Sequence, residues 1–419
     1  MTTDYIAAAK AVLARNDRGG YTLPTDRLYP FQWNWDSAFV AMGFATYDVD
    51  RGCRELERLA EGQWPDGMIP HIVFHQPSDS YYPGPEVWRT HNAVATSGIT
   101  QPPVFGMAVR VLHERGAPHA RIRPLFEAAL RWHRWWYSAR DPEGTGLVAL
   151  LHPWESGSDN SPAWDEALSR VPTTTREPVR RKDTGHVDPS MRPRDEDYQR
   201  FIHLVDTYAD CDWEPARQWA AAPFRMGCVQ TTAILLKAGE DLLTVAEALA
   251  LPEAAEELRA MTARCRAALL SRWSPGHRRF LIRDLIAEAD VITPTQAGFL
   301  PLLALDLPAD IRDAAVAEMR RWMQGLRVAF PTTPADCPAY EPRRYWRGPV
   351  WPVIDWLLAA GLDRNGVPEL ADALRSSVSR AMETAGFVEY FHPGTGEGLG
   401  GQGFSWSAAA YLHFRSLSA

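Results

Sequence analysis

Apolar residues recur at intervals of three and four in RIRPLFEAALRWHRWW (121–136), TTAILLKAGEDLLTVAEALA (231–250), EAAEELRAMTARCRAALLSRW (253–273), DIRDAAVAEMRRWMQGL (310–326) and ELADALRSSVSRAMETAG (369–386). That spacing gathers apolar side chains on one face of a helix, so these windows predict helices. Two further apolar runs, after Asp36 and after Trp351, also read as helices. Alternating patterns are short, FLIRDL (280–285) being the best, and no strand-helix alternation supports a parallel sheet. The predicted fold class is all-α.

Between the helices run long stretches rich in Trp, Pro, Gly and acids: 21–36, 63–104, 150–200, 328–353 and 387–406. Loops of this length are either functional or disordered, and their tryptophan content does not fit disorder. They are expected to carry the site. The longest polar run, 173–197, reads as a lid over a pocket in preference to a linker, because ordered-looking motifs flank it closely.

The 419 residues are 46% hydrophobic and 23% charged, enough for a large core. A net charge of −8 and the lack of Lys/Arg runs beside aromatic platforms exclude nucleic acid as the expected partner. No basic segment leads into a long apolar one near the start, and no run reaches the roughly 18 apolar residues of a membrane span, so a cytoplasmic protein without a membrane partner is expected. Cys53, Cys211, Cys228, Cys265 and Cys337 are scattered without a CxxC pair, which reads as reduced thiols. Oligomeric state is open, a homo-oligomer included.

Tryptophan, at 17, outnumbers Phe at 15 and Tyr at 13. Indole faces in excess of a core's needs suggest an aromatic cleft of the kind that binds sugars. P-loop, dinucleotide, HExxH and GxSxG signatures are absent, which turns attention to carboxylates. Nothing calls for a cofactor or a metal.

The acids occur in distinct settings. In YPFQWNWDSAFVAMGF (29–44), Asp36 stands where an aromatic loop enters a helix; it could cap that helix, while Trp33 and Trp35 beside it suit a sugar-binding rim. HPWESGSDNSP (152–162) places Glu155 and Asp159 among turn formers, and Asp159 fits a turn or cap as well as it fits chemistry. EPRRYWRGPVWPVIDWLL (341–358) offers Tyr345 and Trp346 as a cleft wall and Trp351 as wall or core. GFVEYFHPGTGEGLGGQGFSWSAAAYL (386–412) holds Glu389 after an apolar pair and Glu397 in a Gly-rich loop. Two acids from distant loops amid many tryptophans are what glycoside hydrolysis needs: one protonates the departing oxygen, the other attacks the sugar or deprotonates water.

In seven ordered blocks over about residues 25 to 412 the chain resembles the glycoside hydrolase family 63-like enzymes that cleave glucosylglycerate and mannosylglycerate. The blocks are YPFQWNWDSAFVA, QWPDGMIPHIVF, SGITQPPV, HPWESGSDNSPAWD, RPRDEDYQRF, YWRGPVWPV and EYFHPGTGEGLGGQGFSWSAA. More distantly it is similar to family 63 α-glucosidases and family 37 trehalases. The resemblance implies an (α/α)6 toroid whose long loops cap the active site, as one catalytic domain over 1–419 with a lid-like insertion at about 170–200. It implies that Asp159 is the general acid and Glu389 the general base of an inverting hydrolysis, with Glu397 secondary. Tyr29, Trp35, Asp36, Tyr81, Gln101, Trp154 and Gly157 would surround the sugar, and Arg192, Tyr198, Tyr345 and Trp346 would meet the glycerate carboxylate. Trp33, Trp351 and Gln402 complete the expected binding set. A guanidinium can grip a carboxylate through two parallel hydrogen bonds, which suits Arg192 to an acidic aglycone. The loop from Trp88 to Gly98 is short for the family and Phe404 stands where some relatives have Gln, so glucose and mannose both remain as the sugar.

Such an acid must stay protonated near neutrality; Trp154 could desolvate Asp159, and Glu155 or Asp36 could add negative charge. An inverting pair leaves roughly 6.5–9.5 Å between its carboxyls for a water. Two other readings are an α-glucosidase acting on a neutral disaccharide such as trehalose or kojibiose, and a sugar-binding protein without catalysis.

Overall fold

The computed structural model describes residues 4–175, 179 and 181–417. All five periodic windows are helices: His119–Ala139, Val229–Ala248, Pro252–Leu270, Ala309–Met323 and Pro368–Ala385. Pro252 and Pro368 open theirs, where a missing N–H costs nothing. The window 253–273 ends early because Trp273 has already entered a strand. The apolar helices expected after Asp36 and Trp351 are Asn34–Phe44 and Pro352–Arg364. Asn34–Phe44 is buried on every side, as is most of Ser405–Ser416, so neither has the polar face that periodicity detects.

Six largely buried segments pack in sequence: Asn34–Phe44, Phe105–Glu114, Val229–Ala248, the 3-10 stretch Gln296–Leu303, Pro352–Arg364 and Ser405–Ser416. The last returns to pack against the first. Outside them, Tyr5–Asn16 lies on Ser405–Ser416, Val49–Ala60 on Asn34–Phe44, His119–Ala139 on Phe105–Glu114, Pro252–Leu270 on Val229–Ala248, and Pro368–Ala385 on Pro352–Arg364.

The chain is predominantly helical, as expected, and short antiparallel ribbons interrupt its loops. Ala149–Leu150, Met226–Gly227, Ile282–Asp284 and Ala289–Val291 form a four-stranded sheet in that order. FLIRDL is divided between two ribbons, Phe280 pairing with Trp273 while Ile282–Asp284 joins the larger sheet. Val388–Phe391 pairs with Gly398–Gln402 inside the stretch expected to be loop. All four residues of Val388–Phe391 are buried, so no alternation of apolar and polar residues marks it. Among the described residues no helix is long and apolar enough to cross a membrane.

The stretch 152–162 is a tightly held turn. Pro153–Ser156 forms one 3-10 turn and Gly157 leaves it at φ +69°. Glu155, fully buried, receives the Arg140 guanidinium (2.6 Å) and the Leu151 amide (2.8 Å). Gln230 and Gln296 donate to the Ser158 hydroxyl. Removing one partner of a buried ion pair strands the other's charge, whereas replacing both by apolar groups is far less costly. Glu155→Ala is therefore expected to lower stability in urea denaturation by about 3–5 kcal/mol, with Arg140→Met/Glu155→Leu much nearer the parent.

Candidate active site

The loops converge on a cavity of about 680 Å³, counting its mouth. Tyr29, Trp33, Trp35, Asp36, Tyr81, Gln101, Trp154, Gly157, Asp159, Arg192, Tyr198, Tyr345, Trp346 and Glu389 line it together. Two expected residues do not. Trp351 lies behind the wall, with Trp346 stacked on it at 3.8 Å and Tyr390 at 4.5 Å, and its indole N–H donates to the Tyr345 carbonyl. Gln402 is exposed on a separate depression beside Arg15 and Arg27, because the ladder is irregular between Leu399 and Gln402. Its carbonyl accepts from the Thr25 hydroxyl at 2.5 Å.

Glu389 is fully buried on the strand Val388–Phe391. Its Oε1 accepts from the Tyr29 hydroxyl and its Oε2 from the Gly401 amide, both at 2.9 Å. Gly400, at φ +71°, makes that turn possible, since a Cβ there would lie 2.3 Å from Oε2. Arg192 Nη1 donates to the Tyr29 hydroxyl (2.7 Å) and stands 3.8 Å from Glu389 Oε1. The Tyr345 hydroxyl pairs with that of Tyr29 at 2.9 Å, and the Tyr345 ring packs beneath the guanidinium at 4.2 Å. Tyr345 has φ +44°, an uncommon conformation for a bulky residue, and the Trp351 hydrogen bond to its carbonyl holds it there.

Asp159 leaves the Gly157 turn with part of its surface open to the cavity. Burial pushes its carboxyl up; Arg192 opposes this, Glu389 and Asp183 reinforce it, and the result is about 7. Glu155 has no part in that tuning, because Arg140 neutralises it. Asp36 does not cap its helix: the N-cap is Trp33, and Asp36 is the third helical residue. Burial raises Asp36 well above the ordinary carboxylate value, with Glu389 and Asp159 adding to the effect. Burial also raises Glu389, but Arg192, the Gly401 amide and the Tyr29 and Tyr345 hydroxyls pull it back. Among the described residues Asp159 has no donor beyond its own backbone N–H, so the donors converge on Glu389 and a shared proton is best placed on Asp159. Glu397 pairs with Arg343 at the surface, outside the cavity.

Pro24, His71, Tyr82, Asp183, Pro193, Phe404 and Trp406 also line the cavity without having been expected there as contacts. Trp406 carries a recognisable signal, the FSW triplet after the Gly-rich loop; its indole donates to the Glu389 carbonyl at 3.1 Å. His71 and Asp183 carry none, one being a single His in an apolar run and the other one acid among many in a polar segment. The expected lid at 173–197 falls in part on residues 176–178 and 180, which lie outside the described residues. Its described remainder brings Asp183 and Arg192 to the cavity wall.

Buried carboxyls converging in an aromatic cavity on a helical scaffold are the features of a glycoside hydrolase. The chain belongs to the family described as the mannosylglycerate hydrolase MGH1-like glycoside hydrolase domain, which matches residues 29–407. It is 44% identical to the mannosylglycerate hydrolase of Thermus thermophilus over 96% of this chain and 99% of that one. With the glucosylglycerate hydrolase of Mycolicibacterium hassiacum it shares 37% identity over 98% of each chain. The crystal structure of a family 63 mannosylglycerate hydrolase from Thermus thermophilus in complex with Tris and D-glycerate superposes with a TM-score of 0.94 at 43% identity, covering 98% of this chain and 100% of that one.

Gly157 is where the turn is least tolerant. Besides the positive φ, a Cβ there would lie 2.6 Å from the Trp35 ring. Gly157→Ala must displace either Trp35 or the loop that carries Asp159, and misplacement by about 1 Å can cost a hundredfold. Turnover is expected to fall about a hundredfold while circular dichroism stays helical.

Proposed function

We propose that this protein is an inverting α-glycosidase that hydrolyses a 2-O-α-glycosylglycerate to free hexose and glycerate. One observation carries the reading: a guanidinium, Arg192, only 5% exposed, lies at the cavity wall beside the carboxyl pair. Sugar hydroxyls are satisfied by neutral donors and acceptors, whereas this guanidinium, paired with Asp183 through Nε alone, keeps Nη groups at the cavity wall that suit a further anion such as the glycerate carboxylate. The names of the relatives and the D-glycerate held by the Thermus relative support the same substrate class. Both hexoses fit this reading, the first relative acting on mannosylglycerate and the second on glucosylglycerate by name.

In the proposed cycle the sugar lies between Trp35, Trp154 and Trp346, with its glycosidic oxygen toward Asp159. Protonation of that oxygen by Asp159 breaks the bond as positive charge builds on the sugar ring. Glu389 takes a proton from a water that attacks the anomeric carbon from the opposite face, inverting it. A carboxylate gripped at both oxygens suits the orientation of a water. Asp36, whose protonated form burial favours, can donate to a sugar hydroxyl in that form. We further propose that the six inner segments and their outer helices form an (α/α)6 toroid, a reading the closed cycle of packing supports, and that the chain is one catalytic domain whose 170–200 region serves as a lid.

Assay of glucosylglycerate, mannosylglycerate, trehalose and kojibiose for released hexose, with the anomer read by NMR, tests the proposal. Hexose from the glycerate glycosides with inverted configuration is expected; retention, or preference for the neutral disaccharides, contradicts it. Asp159→Asn and Glu389→Gln should each reduce kcat by roughly 10²–10⁴ with the fold intact. Since Asp159 acts in its protonated form, kcat/KM should hold below about pH 7 and decline as the pH rises through that value. The pH profile of kcat/KM measures that limb directly.

A further inference from the structure

The polar segment 181–198 contains a carboxylate that the proposed chemistry does not use. Asp183 lines the cavity, is 8% exposed, and stands between two guanidiniums. Its Oδ2 accepts from Arg192 Nε at 2.8 Å and from Arg181 Nη2 at 2.7 Å, and its Oδ1 accepts from Arg181 Nε at 3.1 Å. Arg181 is fixed in turn: it packs over the Tyr198 ring at 4.4 Å and donates to the Pro193 carbonyl at 2.8 Å.

We propose that Asp183 is a positioning residue: by holding Arg192 at its Nε edge, it keeps the Nη groups turned toward the anionic aglycone and off the base. The inference rests on the functional reading above, because it assigns a role within the same site. Three of Arg192's constraints come from elsewhere: Tyr29 takes Nη1, the Tyr345 ring lies beneath, and Arg344 donates to the Arg192 backbone carbonyl at 2.8 Å. These contacts leave Nη1 only 3.8 Å from Glu389. A direct pair with Glu389 would weaken the base and withdraw the cation from the aglycone at once. The bond from Nε to Asp183 is the one charged contact among these and, with that from Nη1 to Tyr29, sets the plane of the fork; a planar fork with one edge already occupied offers its remaining N–H groups in fixed directions. The two guanidiniums on Asp183 hold its carboxyl well below the ordinary range despite burial, so it stays ionised wherever the enzyme works.

Asp183→Asn keeps the shape and removes the charge. Calorimetric titration with D-glycerate and, separately, with glucose distinguishes positioning from general support of the fold. The Kd for D-glycerate should rise roughly tenfold or more, the scale of one charge-assisted hydrogen bond, while that for glucose changes less than about threefold. Arg181→Gln, which leaves Asp183 but loosens its anchor, should weaken D-glycerate in the same direction by a smaller factor, and it carries the test if Asp183→Asn fails to fold. Unchanged D-glycerate affinity in the folded variants overturns the proposal. So does a parallel loss of both ligands, which marks a merely structural residue. Failure of the parent protein to bind D-glycerate would instead refute the substrate reading, independently of Asp183.

Discussion

Asp36, Asp159 and Glu389 share a cavity walled by indole and phenol rings, and among the described lining residues Arg192 is the one guanidinium that faces them. One cation faces three carboxyls that burial has stripped of water, and burial raises each of them above its ordinary value. Much of the surrounding architecture sets them apart from one another. Glu389 is given an amide, a phenol and a nearby guanidinium; Asp159 and Asp36 are left with their own backbone N–H groups. The asymmetry of donors distinguishes carboxyls of the same side-chain chemistry, as the proposed division into acid and base requires.

Holding that asymmetry takes supports well behind the cavity. Arg140 neutralises Glu155, so the turn that delivers Asp159 adds no further negative charge to the site. Trp351, though it meets no cavity surface, backs Trp346 with its ring and fixes the Tyr345 carbonyl with its N–H, thereby setting the phenol that meets Tyr29. The indole of Trp406 takes the Glu389 carbonyl and so ties the base's own backbone to a helix N-terminus. Several of the aromatic residues thus act as scaffolding that fixes polar atoms, in addition to any contact with the sugar.

The distribution of what was legible in the sequence follows from this. Helices with one exposed face announced themselves by period, whereas Ser405–Ser416, largely buried, did not. The strand that carries Glu389 was read as loop because burial of every residue erases alternation. Most of the aromatics and the two acids expected as the pair, all inside ordered motif blocks, line the cavity, whereas Trp351 from the same blocks lies behind its wall. Gln402 was misplaced because a bulge in a two-stranded ladder turns a side chain to the opposite face, and nothing in GLGGQGF counts residues across that bulge. Asp36 was open to a capping role because position relative to a helix start can be off by the two or three residues that separate a cap from the first turn. Asp183 was invisible for a different reason: its meaning lies in two arginines converging on it, a property of the folded segment and not of its spelling.

The hydrogen bond from Tyr29 to Glu389 spans 360 residues, and others of similar reach accompany it. Asn16 donates to the Gly403 carbonyl and the Ser405 hydroxyl, and Ser405 donates to the Leu23 carbonyl. In chain order, therefore, Asp159 and Arg192 are made long before Glu389, and Asn16 and Leu23 precede their partners Gly403 and Ser405 by 387 and 382 residues. A nascent chain truncated before residue 388 lacks Glu389 and these partners. Contacts of such reach delay closure until late in translation, when the hairpin 388–402 and the helix after it have been made. On the proposed roles of Asp159 and Glu389, activity can then arrive only at that late stage.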